Sequence, residues 1–297
     1  MIRFERFGKS YGAHVAAVDV DLEVGPGEVV ALLGPNGSGK TTCLKGAAGL
    51  ILPTSGRVLV DGMPASRPEA RQSLSFLPQK VSFPDALTGR EIVDFYGRLR
   101  SVPAGRGDEV LRFASLNGSA ARAVGTYSGG MVQRLGLAVA ALPDGPLLLL
   151  DEPTAALDPD GLSAFYGLVE RRRREGKTIL FTSHHLGDVE RLADRFAVLV
   201  GGRLVALLSA AELAARLAER GVLRLRLDRR PGGLLDALRP LAPRASWSGE
   251  ELLLPGPASL RPALVDAVRA AGATITSLTA DEGRLDTLYA ELVGGSK

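Results

Sequence analysis

An α/β domain built on a parallel sheet, carrying an inserted helical subdomain and followed by a small α+β domain, is the architecture this sequence predicts. Three observations carry it. A glycine-rich loop, GPNGSGKTT, stands between an apolar strand pattern and a helical pattern at residues 34–42. Two short, uninterrupted apolar runs at 147–151 and 178–182 have the character of parallel strands buried on both faces. From about residue 221 the pattern restarts, punctuated by Pro231, Gly232, Gly233, Pro255 and Pro257.

Taken in order, strands are expected at 2–7, 17–24 and 28–33, ahead of the glycine loop and a helix running to residue 50. Short strands follow at 57–61 and 74–77. Residues 88–141 contain few β-branched runs and read as the helical insertion. A helix over 159–175 joins the two buried runs, with Asp158 as its cap and Pro159 in its first turn. The last part reads as strand 222–227, helix 234–238, short strands around Ser246 and Leu253, helix 260–271 and strand 274–278. That is a split β-α-β layout of about 75 residues, closed by a helix over 284–293. The expected division is therefore a nucleotide-binding domain at 1–219 and an accessory domain at 220–297. No internal repeat of the first domain is present, so one nucleotide domain is expected.

Composition excludes several classes of function. A chain of 297 residues with 45% hydrophobic and 23% charged residues is globular. No stretch reaches the roughly 18 uninterrupted apolar residues of a membrane helix; the best, 196–208, is broken by Gly201, Gly202 and Arg203. The N-terminal MIRFERFGKSYG lacks an apolar signal core, so no translocation is expected. The single cysteine, Cys43, rules out an internal disulfide or a Cys-rich zinc site and is expected to be a small buried apolar residue. A formal charge of +3, without a Lys/Arg stripe interleaved with aromatics, gives no reason to expect a nucleic-acid partner. The basic run 171–174 is expected to be a solvated helix end, where cations suit the dipole.

The glycine loop satisfies the whole phosphate-binding pattern in its confirming context, strand before and helix after. Gly34, Pro35, Asn36, Gly37, Ser38 and Gly39 let backbone N–H groups turn toward phosphates at the positive end of the following helix. Lys40 offers a mobile cation for the β and γ phosphates, Thr41 a hydroxyl for Mg²⁺, and Thr42 completes the motif. The apolar run at 147–150 delivers Asp151 and Glu152 at its carboxyl end, where α/β ligand sites lie. Asp151 suits Mg²⁺, and Glu152 suits an attacking water, as general base or as positioning group.

With YSGGM at 127–131 between these two motifs, the chain resembles the ATP-binding subunit of an ABC transporter over residues 1 to about 215. The resemblance implies a P-loop NTPase of ABC type that binds ATP and Mg²⁺ and hydrolyses ATP. It implies that Tyr11, in KSYG, stacks on adenine, and that Gln79, in FLPQ, touches Mg²⁺ and the attacking water. It implies that Ala156, Leu157 and Asp158 form a loop crossing to a second subunit, and that His184 contacts the γ-phosphate, with His185 at a position usually apolar. Ser128, Gly129 and Gly130 would then reach the nucleotide held by Lys40 of a second ATPase subunit, a homodimer or heterodimer. Tyr127 and Met131 depart from the common LSGGQ form at both ends, while the hydroxyl and backbone donors remain.

YSGGM followed by Gln133 and Arg134, and the ending GRLDTLYAELV, are similar to the branch serving ABC-2-type exporters. The stretch VSFPDALTGREIVDFYGRLR is similar to the ATPase that helps mature the copper sites of nitrous oxide reductase. These likenesses imply a protein at the cytoplasmic face of the membrane, peripheral through a transmembrane permease. The alternative is an ATPase of the same type acting on nucleic acid or ribosomes without a permease; such proteins usually carry two nucleotide domains or a long coiled-coil insertion, and this chain has neither. A small-molecule kinase on the same loop has no use for Ser128–Gly130 or His184.

Overall fold

The computed structural model describes residues 1–183, 186–219, 221–281 and 285–294. The chain divides into two compact units, Met1–Leu207 and Leu208–Lys297. This division falls ahead of a helix at Ala210–Ala218 that the sequence expectation placed with the first domain. That helix is opened by a capping box between Ser209 and Glu212, which gives it a defined start of its own. Gly221 marks only the turn after it, and Pro231 the loop after the next strand, Val222–Leu227.

The first unit opens with β1 (Ile2–Tyr11) and β2 (His14–Val24), an antiparallel pair. β3 (Val29–Leu33), the glycine loop and α1 (Lys40–Ala47) follow, then β4 (Ser55–Val60), β5 (Met63–Pro64), α2 (Pro68–Gln72) and β6 (Leu74–Leu77). The helical insertion contains α3 (Gly89–Leu99), α4 (Arg106–Phe113) and α5 (Gly129–Ala141). β7 (Leu147–Leu150), α6 (Pro159–Arg174), β8 (Thr178–Thr182), α7 (Leu186–Leu192), β9 (Arg195–Val200) and β10 (Arg203–Ser209) complete it. The small β2-β1-β4-β5 sheet stands beside a larger one in the order β10-β9-β3-β8-β7-β6. In that sheet β9, β3, β8, β7 and β6 run parallel.

Every residue of β3, β7 and β8 is buried, which is why their sequences are continuous apolar runs and not alternating ones. β1 instead buries Ile2 and Phe4 while exposing Arg3. One core joins both sheets to α1, through Phe4, Phe7, Val30, Leu32, Leu44, Leu149 and Leu180. Gly46 permits the close approach, since a Cβ there would lie 3.0 Å from the Phe7 ring. Cys43 is buried in this core, and burial pushes its thiol pKa up to about 12.

Two features depart from the sequence expectation. The apolar stretch 196–208 is the hairpin β9–β10, and its two-residue turn places Gly201 and Gly202 at φ 55° and 81°. Positive φ at both turn residues matches the right-handed twist of the strands, and glycine adopts it without steric cost. The basic run is not a solvated helix end. Arg172 is buried and donates to the Ala141 and Pro143 carbonyls and to Asp144. Arg171 binds Glu109, and Arg173 binds Asp194 and the Leu192 carbonyl; only Arg174 is exposed. The C-terminal carbonyls of α5 need partners, and Arg172 from α6 and Arg106 from α4 supply them.

The second unit contains α8 (Ala210–Ala218), β11 (Val222–Leu227), α9 (Leu234–Leu238), β12 (Ser246–Ser248), β13 (Glu251–Pro255), α10 (Arg261–Ala270), β14 (Ile275–Asp281) and α11 (Leu285–Gly294). Its sheet order, β12-β13-β11-β14, is antiparallel throughout and is that of a split β-α-β unit. Leu223, Leu225, Leu252 and Leu254 face Leu234, Leu238, Leu264 and Val268 in a core of its own.

Candidate active site

The glycine loop connects the end of β3 to α1 and turns tightly because its glycines allow it. Gly39 caps the helix at φ 97°, and a Cβ there would lie 2.3 Å from the Ala16 carbonyl. Lys40, buried at the first helical position, donates to the Gly34 carbonyl at 2.8 Å and to the Pro35 carbonyl at 3.1 Å. An ammonium has three N–H donors, so one remains for a ligand oxygen. Burial lowers the Lys40 pKa, against the pull of Glu152 and Asp151. A phosphate would supply the negative charge that this desolvated cation favours.

The carboxyl ends of β7 and β8 bring the carboxylates to the loop. Asp151 is 1% exposed, and its Oδ1 accepts from Thr41 Oγ1 at 3.0 Å and from Thr182 Oγ1 at 2.9 Å. Burial raises its pKa, opposed by those two hydroxyls. Glu152 follows at φ 45°, in the left-handed region that residues bearing a Cβ rarely occupy. Its N–H donates to Thr182 Oγ1 at 2.7 Å, and its Oε2 accepts from Gln79 Nε2 at 2.8 Å. Thr182 thus fixes both carboxylate residues at once. No sequence motif marked it, although a polar residue at the end of a buried strand is where such α/β sites lie.

The structure therefore links Thr41, Asp151, Glu152 and Gln79 in one hydrogen-bonded chain through Thr182, with Lys40 beside Thr41 on the loop and within the electrostatic reach of both carboxylates. Ser38 Oγ is buried without a hydrogen-bond partner among the described residues, an orphan polar group beside the same loop. Tyr11 stands at the end of β1, 46% exposed, with Lys9 Nζ 5.2 Å from its ring centroid. Ser128 and Gly129 are exposed at the start of α5, where Ser128 Oγ accepts from the Met131 N–H at 3.3 Å. Gly130 packs against the 156–158 loop: a Cβ there would meet Asp158 Oδ2 at 3.3 Å. Arg134 Nη2 donates to that same oxygen at 3.2 Å, while Asp158 Oδ1 caps α6. Tyr127, the departure from the common signature, donates its hydroxyl to the Ser119 carbonyl at 2.8 Å. His184 and His185 lie outside the described residues.

A family model described as ABC transporter matches residues 17–155. The chain is 33% identical over 301 residues to a daunorubicin resistance ATP-binding protein of Streptomyces coeruleorubidus, covering 97% of this chain and 94% of that one. It is 35% identical to the Nod factor export ATP-binding protein I of Cupriavidus metallidurans, over 85% of each chain. Among solved structures, a dimeric post-hydrolysis state of an ATP-binding cassette bound to ADP and Pi is similar at a TM-score of 0.66 and 26% identity. That match covers 71% of this chain and 99% of the other. A phosphate loop backed by paired carboxylates, on this sheet and with these relatives, identifies the chain as a member of the ATP-binding subunits of ABC transporters, which are ATPases.

Proposed function

We propose that two copies of this chain close around ATP and Mg²⁺ to drive a separate transmembrane permease in the direction of export. The observation that carries this reading is the division of the site. The glycine loop is joined to the carboxylates by the Thr41–Asp151 hydrogen bond, while Ser128 and Gly129 stand exposed at the amino end of a 13-residue helix. A helix amino terminus presents N–H groups and positive potential to an anion, so a second chain's nucleotide can complete the site. ATP binding and association then become one event.

Within each site, the third Lys40 donor and the loop N–H groups would hold the phosphates, and Tyr11 would stack on the base. Mg²⁺ would be held by Thr41, Asp151 and Gln79 together with phosphate oxygens, and would neutralise charge on the phosphates. Among the described residues no cluster of three or more His, Cys, Asp or Glu stands ready for a metal, which suits an ion that arrives with its nucleotide. Glu152 would orient and deprotonate the attacking water, with Gln79 hydrogen-bonded to it and His184 at the γ-phosphate.

An apolar groove supports the permease partner. It has a volume of about 290 Å³ and is lined by Leu50, Phe76, Tyr96, Leu99 and Val139 among others. Leu50 is 55% and Leu99 66% exposed there, an apolar surface suited to a helix from a cytoplasmic loop. No helix among the described residues is long and apolar enough to cross a membrane, so membrane association would come through that partner. Export follows the relatives named for drug resistance and Nod factor export.

The test is Glu152→Gln in the full-length chain. Turnover should fall by roughly a hundredfold or more, as for a lost general base, and ATP-bound dimers should accumulate in sedimentation experiments. Near wild-type hydrolysis by this variant would remove Glu152 from catalysis, and monomers under saturating ATP would remove the shared site.

A further inference from the structure

Behind the carboxylate pair lies a buried acidic residue that belongs to none of the motifs. Asp188, on α7, is 6% exposed and accepts three hydroxyl hydrogen bonds. Thr154 Oγ1 donates to its Oδ2 at 2.8 Å and Tyr166 OH to its Oδ1 at 2.6 Å. Ser183 Oγ approaches Oδ2 at 3.5 Å, the long limit of such a bond. Arg191 stacks its guanidinium 4.0 Å from the Tyr166 ring centroid. The donors come from three separate places: the loop after β7, the body of α6 and the end of β8.

One of them, Thr154, lies two residues beyond Glu152, and another, Ser183, adjoins the Thr182 that binds the Glu152 N–H. The left-handed backbone of Glu152 is disfavoured for a residue with a Cβ and persists only where the surroundings over-determine it. On one side the Glu152 N–H is held by Thr182 Oγ1. On the other, two residues along, the Thr154 hydroxyl is held by Asp188. Ser183, adjacent to Thr182, leans on the same carboxylate. Both tethers of the strained turn therefore end on one assembly, the end of β8 together with α7.

We propose that Asp188 is a positioning residue for ATP hydrolysis: through Thr154 it fixes the far side of the Glu152 turn and so sets the angle at which the Glu152 carboxylate is presented. The proposal rests on Glu152 being the group that acts on water. It requires no contact between Asp188 and nucleotide. Loss of the tether should therefore change turnover and leave ATP affinity alone.

The experiment uses the full-length chain and measures kcat, KM and ATP affinity for Thr154→Val, Thr154→Ser and Asp188→Asn, each alone and with Glu152→Gln. Thr154→Val and Asp188→Asn should each lower kcat about tenfold with ATP Kd within about twofold, and Thr154→Ser should restore turnover, as expected for a residue acting through another. In the Glu152→Gln background the same changes should have no further effect, because residues that act as a unit are not additive. Wild-type kcat in Thr154→Val and Asp188→Asn overturns the proposal. So does an equal loss of ATP affinity, or a tenfold loss that persists beside Glu152→Gln. Should Asp188→Asn fail to fold, the Thr154 pair decides, since Thr154→Val removes the hydroxyl at nearly constant shape and Thr154→Ser keeps it. Wild-type turnover in Glu152→Gln alone overturns the assignment of Glu152 instead, a separate result.

Discussion

Lys40 shows how one residue's burial links stability to binding. Its pKa is lowered by desolvation, so the folded chain disfavours the ammonium relative to the unfolded one. For a lysine with a depressed folded pKa, the contribution to stability is favourable above the unfolded value near 10.5 and is lost as pH falls through the folded value. At neutral pH the charged side chain is thus a cost to the nucleotide-free chain. Lys40→Met should leave the melting temperature without nucleotide equal to or above that of the wild type, since replacing a buried ion by an apolar side chain is often neutral or stabilising. The rise in melting temperature on adding ATP should vanish, because that rise measures binding. Scanning calorimetry with and without ATP checks both. A lower melting temperature in the absence of ATP would show that the bonds to the Gly34 and Pro35 carbonyls outweigh desolvation.

The residues legible in the sequence were those whose chemistry is tied to local spacing. Glycines before Lys40, and two carboxylates at the end of a leucine run, need only their immediate neighbours to be recognised. Thr182 and Asp188 have no such signature. A threonine ending a strand and an aspartate on a short helix look like solvated residues until the parallel sheet sets β8 beside β7. The split between a phosphate-holding cluster and an exposed Ser128 follows from where the insertion sits, which spacing alone does not give.

At the scale of elements, α5 is the helix on which α3, α4, α6 and β6 converge. Its amino end carries Ser128, and its carboxyl end is held by Arg106 and Arg172. Burial lowers the Arg172 pKa, opposed by Asp144, and the cost of burying the guanidinium is offset by its hydrogen bonds to helix-end carbonyls and to Asp144. Arg172→Ala should destabilise the chain by about 2–4 kcal/mol, from lost charged hydrogen bonds and a cavity, read as a lower midpoint in urea. Arg174→Ala, on an exposed side chain four residues from Glu170, should change stability by less than about 0.5 kcal/mol. In the sequence these arginines look alike, because a helix dipole favours every cation in a last turn equally. The β9–β10 hairpin has its own signal in Gly201-Gly202 between two apolar runs. Judged by apolar length alone, the same two glycines are only an interruption.

For the whole molecule, the two separate cores imply separable folding. The second unit contains its own four-stranded sheet and none of the residues of the glycine loop or the carboxylate pair. A chain ending at residue 219 should remain soluble and bind ATP, with sedimentation reporting how the missing unit alters dimer lifetime. Aggregated protein without ATP binding would mean that the second unit covers an apolar face of the first.

The register of the central sheet has a consequence for synthesis on the ribosome. β3 carries the phosphate loop and is made early, yet both of its neighbours come late: Val29 pairs with Ile179 and Val30 with Arg195. At about 5–20 residues per second, the nascent loop waits on the order of 10–30 s for the strands that flank it. Such long-range pairing is slow and leaves apolar edges open in the meantime. The leucine strand β7 is itself completed only when β8 emerges. A ribosome stalled before residue 180 would therefore hold a chain that has every glycine of the phosphate loop and no place to put a phosphate. Chaperone capture should peak over that interval and fall once β9 has been translated.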